Sequence, residues 1–159
     1  MRIRLRYLDR RVKAMARLLF AAGVLVWGAS GCAVRLISQY DDYTDREVMQ
    51  LERSVDGFLV SLSRNSTPPG CTHARHTGFY DSTAVALNSL TLRNRARSKN
   101  QLTVQQLELL DSSLVTLERL HRLKGDDRCL SPAEIEPVRA NFNTSFTAIV
   151  TLELAKKRS

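Results

Sequence analysis

Apolar residues recur along this chain at steps of three and four. Val48, Leu51, Val55, Phe58 and Leu62 do so, as do Leu107, Leu110, Leu114 and Leu117. Val138, Phe142, Phe146 and Ile149 make a third series, rich in phenylalanine. Such spacing places each series on one face of an α-helix, as a stripe too wide to leave in water. A weaker series runs Tyr80, Ala84, Leu87 and Thr91, with Leu90 beside it. No alternation of apolar and polar residues competes for a strand.

Three helix starts share one signature. Thr44-Asp45-Arg46-Glu47, Thr103-Val104-Gln105-Gln106 and Ser131-Pro132-Ala133-Glu134 each read as a capping box. In that motif a hydroxyl caps a backbone N–H, Glu or Gln reaches back, and flanking apolar residues staple the turn. Pro132 falls at the first helical position, where its missing N–H costs nothing. Pro137, in the second turn, removes a donor and predicts a late start or a bend. The predicted helices cover about 42–64, 78–97, 103–123 and 132–157. Short connections make neighbours antiparallel, so the predicted fold is all-α, an up-down-up-down four-helix bundle.

The run at residues 18–32, LLFAAGVLVWGASGC, is apolar without being part of that pattern. The 17 residues before it hold seven Arg or Lys and one Asp. A basic segment followed by a short apolar run is an export signal, and the run falls short of the roughly 20 residues a membrane span needs. It ends in Ala29-Ser30-Gly31-Cys32, which resembles a lipobox, the cleavage site of bacterial lipoproteins. The resemblance implies that residues 1–31 are removed and that Cys32 carries lipid, with palmitate among its acyl chains. Ala33 follows the cysteine where Asp would mark inner-membrane retention in enterobacterial lipoproteins. That favours the outer membrane, facing the periplasm. Residues 32–41 then read as a lipidated tether, at most roughly 35 Å long, and residues 42–159 as the bundle domain.

Removing the signal changes the charge picture. The whole chain carries a formal +8, but seven of its 24 Lys and Arg and one of its 16 Asp and Glu lie in residues 1–31. The remainder has 17 against 15, or +2, and the case for nucleic acid as a partner goes with the signal. Cys71 and Cys129 lie in the first and third connections, which leave an up-down-up-down bundle at the same end. In an oxidising periplasm these two are expected to form a disulfide. The alternative use of that end is metal: Cys71-Thr72-His73-Ala74-Arg75-His76, with Cys129 and His121, offers thiolates and imidazoles of the kind zinc takes. The spacing matches no established zinc pattern, and a disulfide would consume both sulfurs. No cofactor is implied.

At the other end Arg93, Arg95, Arg97 and Lys99 close the second helix, and Lys156, Lys157 and Arg158 close the chain. Cations suit helix C-termini. The same seven are candidate contacts for anionic phospholipid headgroups. Asp41, Asp42, Asp45 and Glu47 crowd the start of the first helix, as its dipole favours. No GxSxG, HExxH, Glu-x-x-His pair or phosphate-cradling glycine loop is present, so no catalytic residue is assigned and the reading is non-enzymatic.

Residues 32–41, CAVRLISQYD, the closing stretch around Phe146-Thr147-Ala148-Ile149-Val150 and Glu153-Leu154-Ala155-Lys156-Lys157, and residues 107–123 are similar to a group of small, uncharacterised proteobacterial lipoproteins. That resemblance implies export and a helical body. It supplies no activity. The sequence therefore leads to a membrane-tethered helical module that meets another envelope protein. A small-ligand or metal carrier, using the bundle interior or the Cys/His-rich end, is the alternative.

Overall fold

A computed structural model describes residues 37–158 of the chain. Four α-helices account for most of them: α1 (Asp42–Arg64), α2 (Thr77–Arg95), α3 (Gln101–Arg122) and α4 (Pro132–Lys157). A short 3-10 helix, His73–Arg75, lies between α1 and α2. No strand occurs among the described residues. Around the bundle α1 packs on α2 and α4, and α3 packs on α2 and α4.

The stripes meet in one core. Val48, Leu51, Val55, Phe58 and Leu62 of α1 are buried together with Leu107, Leu110, Leu114 and Leu117 of α3. Phe142, Phe146 and Ile149 come in from α4, and Val138 packs at its edge. In α2 the buried positions are Tyr80, Thr83, Leu87, Leu90, Thr91 and Asn94. Ala84, assigned to that face from the sequence, is exposed. A three-residue step to Thr83 keeps the helical face in phase where the four-residue step to Ala84 carries it outward. This inner face becomes polar toward the C-terminus of α2.

The helix starts divide into two kinds. At α4 the predicted capping box forms: the Ser131 N–H and hydroxyl both donate to the Glu134 carboxylate, at 2.9 and 2.8 Å. The helix begins on time at Pro132 and runs through Pro137 to Lys157. At α1 and α3 the box does not form. Both helices begin two residues earlier than the predicted cap, behind Asp41 and Asn100. Thr44 and Thr103 therefore stand inside the first turn, fully buried, and their hydroxyls face the bundle interior.

The two ends are fixed by contacts between connections. Cys71 and Cys129 are joined by a disulfide with their Cα atoms 5.4 Å apart, which places the α1–α2 and α3–α4 connections at one end. At the opposite end the Ser38 N–H donates to the Lys99 carbonyl at 2.9 Å, and Lys156 of α4 reaches Asn100 at 2.7 Å. The N-terminal approach, the α2–α3 turn and the end of α4 meet there. This is the up-down-up-down arrangement.

Candidate functional site

The end opposite the disulfide holds most of the buried polar side chains among the described residues, and its logic starts in α4. The core stripe of that helix does not stop at Ile149. It continues by steps of four and three to Glu153 and Lys156, which are 1% and 5% exposed. The Lys156 ammonium donates to the Glu153 carboxylate at 2.6 Å, to the Thr103 hydroxyl at 2.6 Å and to the Asn100 side-chain oxygen at 2.7 Å. Thr103 in turn donates to the same Glu153 oxygen at 2.9 Å. A buried ion pair of this kind holds only when its remaining lone pairs and protons find partners. Here the start of α3 supplies them, through Thr103, which the sequence marks as a cap, and Asn100, the residue before the helix. The second Glu153 oxygen, Oε2, is buried without a hydrogen-bond partner among the described residues.

The network runs on toward the N-terminus. The Asn100 amide donates to the Asn94 side-chain oxygen at 2.6 Å. Asn94 donates to Thr44 at 3.1 Å, and Thr44 donates to the Asp41 carboxylate at 2.7 Å. Over this chain lies the segment 37–41. Besides its N–H bond, Ser38 donates its hydroxyl to Asn100 at 2.6 Å, and Arg97 donates to the Gln39 carbonyl at 2.7 Å. Tyr40 donates to Asp45 at 2.8 Å, with the Lys157 ammonium 5.1 Å from its ring centre. The bond to Asp45, burial and nearby carboxylates push the Tyr40 phenol up to about 12. The tether predicted over residues 32–41 is thus docked on the bundle from Ser38 onward.

Asp41 is the charged centre of this strap. Arg93 grips it with two parallel bonds, Nε to Oδ2 and Nη2 to Oδ1, each 3.2 Å. Arg97 Nη1 stands 3.4 Å from Oδ1. Burial raises the Asp41 carboxyl. The Arg93 and Thr44 hydrogen bonds and the charges of Arg97 and Arg93 outweigh it and hold the group down to about 2. The Arg93 guanidinium also lies 4.5 Å from the Tyr43 ring centre.

The seven basic candidates consequently have different positions. Lys156 is a correction: it is buried, and the turn of α4 that carries it faces inward, so it is no headgroup contact in this state. Arg93 and Arg97 are engaged with the strap. Arg95 pairs with Glu108 at 2.7 Å and stays half exposed. Lys99 occupies the tight α2–α3 turn with φ +59°. Lys157 and Arg158 are exposed at the end of α4.

At the disulfide end the three histidines do come together. The His121 ring centre lies 5.8 Å from that of His73 and 6.0 Å from that of His76. Each Nε2 has an oxygen acceptor: Glu118 for His73 at 3.1 Å, the Gly70 carbonyl for His76 at 2.9 Å and the Cys71 carbonyl for His121 at 2.7 Å. Since a carbonyl only accepts, His121 carries its proton on Nε2, and Nδ1 accepts from the Tyr80 hydroxyl at 2.8 Å. Burial lowers the His121 pKa, and the neighbouring His73 and His76 add to this against the Cys71 bond. Burial likewise pushes the Tyr80 phenol upward. Among the described residues no group of three or more His, Cys, Asp or Glu is arranged to hold a metal ion.

Cys32, Ala33 and the apolar run before them lie outside the described residues. No helix among the described residues is long and apolar enough to cross a membrane. The chain matches no family model, no curated protein and no solved structure.

Proposed function

We propose that this chain is an exported envelope lipoprotein, anchored through lipid on Cys32, whose helical body is a non-enzymatic interaction or assembly module for another envelope protein. The observation that carries the reading is the Cys71–Cys129 bond between connections 58 residues apart. Bonds of that kind belong to oxidising compartments such as the periplasm, which is where the signal-like residues 1–31 would send the chain. The apolar core filled by Leu, Phe and Ile side chains and the hydrogen-bonded polar end suit a rigid body that presents surfaces. Lipid on Cys32 with more than one acyl chain would anchor it stably.

Metabolic labelling with radioactive palmitate tests the anchor. The expected result is label on the parent chain, none on Cys32→Ala, and loss of the variant from the membrane fraction. Equal labelling of both overturns it. Lipid-intact pull-down with mass spectrometry, compared with Cys32→Ala, then looks for the partner.

A further inference from the structure

We infer that residues 37–41 form an autoinhibitory latch, in which the Asp41 carboxylate occupies an oxyanion site made by Arg93 and Arg97 that takes a phosphate group when the latch is displaced. Two guanidinium groups converge on one carboxylate, with three nitrogen–oxygen contacts of 3.2 to 3.4 Å. Fork-like geometry of this kind serves carboxylate and phosphate alike, with charge and direction together. Among the described residues Asp41 is the carboxylate that both guanidinium groups contact. Arg97 has a further donor, Nε, that is buried without an acceptor among the described residues. A phosphate offers more acceptor oxygens and more charge than the carboxylate it would replace.

The latch is held by contacts that can be exchanged. Ser38 and Gln39 contribute three hydrogen bonds, one from a backbone N–H, one from a hydroxyl and one to a carbonyl. Water can replace each when the segment lifts. Arg93 is about half exposed, at 47% of its side chain, so an incoming anion can reach it before Asp41 leaves. Arg95, Lys157 and Arg158 stand exposed on the elements that meet at this end and extend the positive field toward an anionic surface.

The phosphate can belong to a lipid headgroup or be free in solution, and the experiment separates the two. Leu36–Ser159 is one compact unit and holds the whole described core, so it can be tested without Cys32. Failure here therefore leaves the lipoprotein reading standing. Its Asp41→Asn variant is compared with the parent for binding to phosphatidylglycerol vesicles, to phosphatidylcholine vesicles and to inorganic phosphate. Asp41→Asn is expected to bind its phosphate source roughly fivefold to 25-fold more tightly, since each of the two freed cations near an anionic surface contributes up to about fivefold. Asp42→Asn, with the same change in net charge but paired with Arg46 rather than with Arg93 or Arg97 among the described residues, is the control and should gain little. Ser38→Ala, which loosens the strap without altering charge, should gain in the same direction. Adding Arg93→Gln and Arg97→Gln should erase the gain.

A headgroup source shows as tighter binding to anionic vesicles that millimolar phosphate does not compete away. A free-phosphate source shows as saturable phosphate binding. An Asp41→Asn variant no tighter than the parent in either arm, a gain matched by Asp42→Asn, or a gain that survives loss of both arginines overturns the latch.

Discussion

His121 shows how one side chain can tie three parts of the bundle together. It stands on α3, takes the Tyr80 hydroxyl of α2 on Nδ1, and donates from Nε2 to the Cys71 carbonyl beside the disulfide. Tyr80→Phe leaves that buried nitrogen without its donor, at an expected loss of about 1–3 kcal/mol, measurable by urea unfolding at pH 7. The lowered His121 pKa fixes a sign as well. The unfolded chain binds the proton near pH 6.5 and the folded one only below that, so stability is full above about 6.5 and declines as pH falls through that value. Asp41 and Glu134, both held down to about 2, keep their contribution until pH drops below their ordinary values of 3.8 and 4.5. For Glu134 the Lys124 hydrogen bond is the main cause. Unfolding midpoints followed from pH 8 to pH 3 should therefore fall in two stages, and His121→Gln should flatten the first. The sequence places His121 on the core stripe of α3 by a four-residue step. Its partners were not legible, because a tyrosine 41 residues away and a backbone carbonyl leave no mark in local spacing.

At the scale of elements, α4 separates what periodicity can reveal from what it conceals. Its extent was readable from Ser131-Pro132 and the phenylalanine stripe. By sequence Lys156 is one of seven cations suited to a helix end and to anionic headgroups. The stripe extended through Glu153 to Lys156 carries the opposite message, and the buried partners Asn100 and Thr103 at the start of α3 make it possible. The two threonines that resemble caps misled for the same reason, since local pattern cannot tell a hydroxyl that caps its own helix from one that serves a neighbour. The structure predicts a distinctive pair of outcomes. Lys156→Met alone leaves Glu153 buried and unpaired, at an expected loss of about 3–5 kcal/mol. Adding Glu153→Leu should recover most of that loss, as buried ion pairs replaced by apolar residues commonly do. Chemical denaturation of the two single variants and the double variant checks this. Simple additivity of the two losses would show that the pair is not coupled.

For the molecule as a whole, the disulfide and the strap hold opposite ends. The chain-entropy model gives a bond closing 58 residues up to about 4 kcal/mol. A Cys71→Ala, Cys129→Ala double variant should therefore lose roughly 2–4 kcal/mol in denaturant titrations, with the parent losing the same on reduction. Placement of both cysteines at one end followed from helix count and connection order alone, which is why that much of the architecture was legible. Docking of residues 37–41 was not, because an extended segment with no periodicity carries no sign of where it lies. Its consequence is one of reach. On the proposal that Cys32 carries lipid, only five backbone steps would lead from the bilayer to Ile37 while the strap is seated, a leash of roughly 18 Å at full stretch. Lifting it frees the chain as far as Asp42 and doubles that to roughly 36 Å. On the proposed lipid anchor, the same five residues would set how far from the membrane the body can reach.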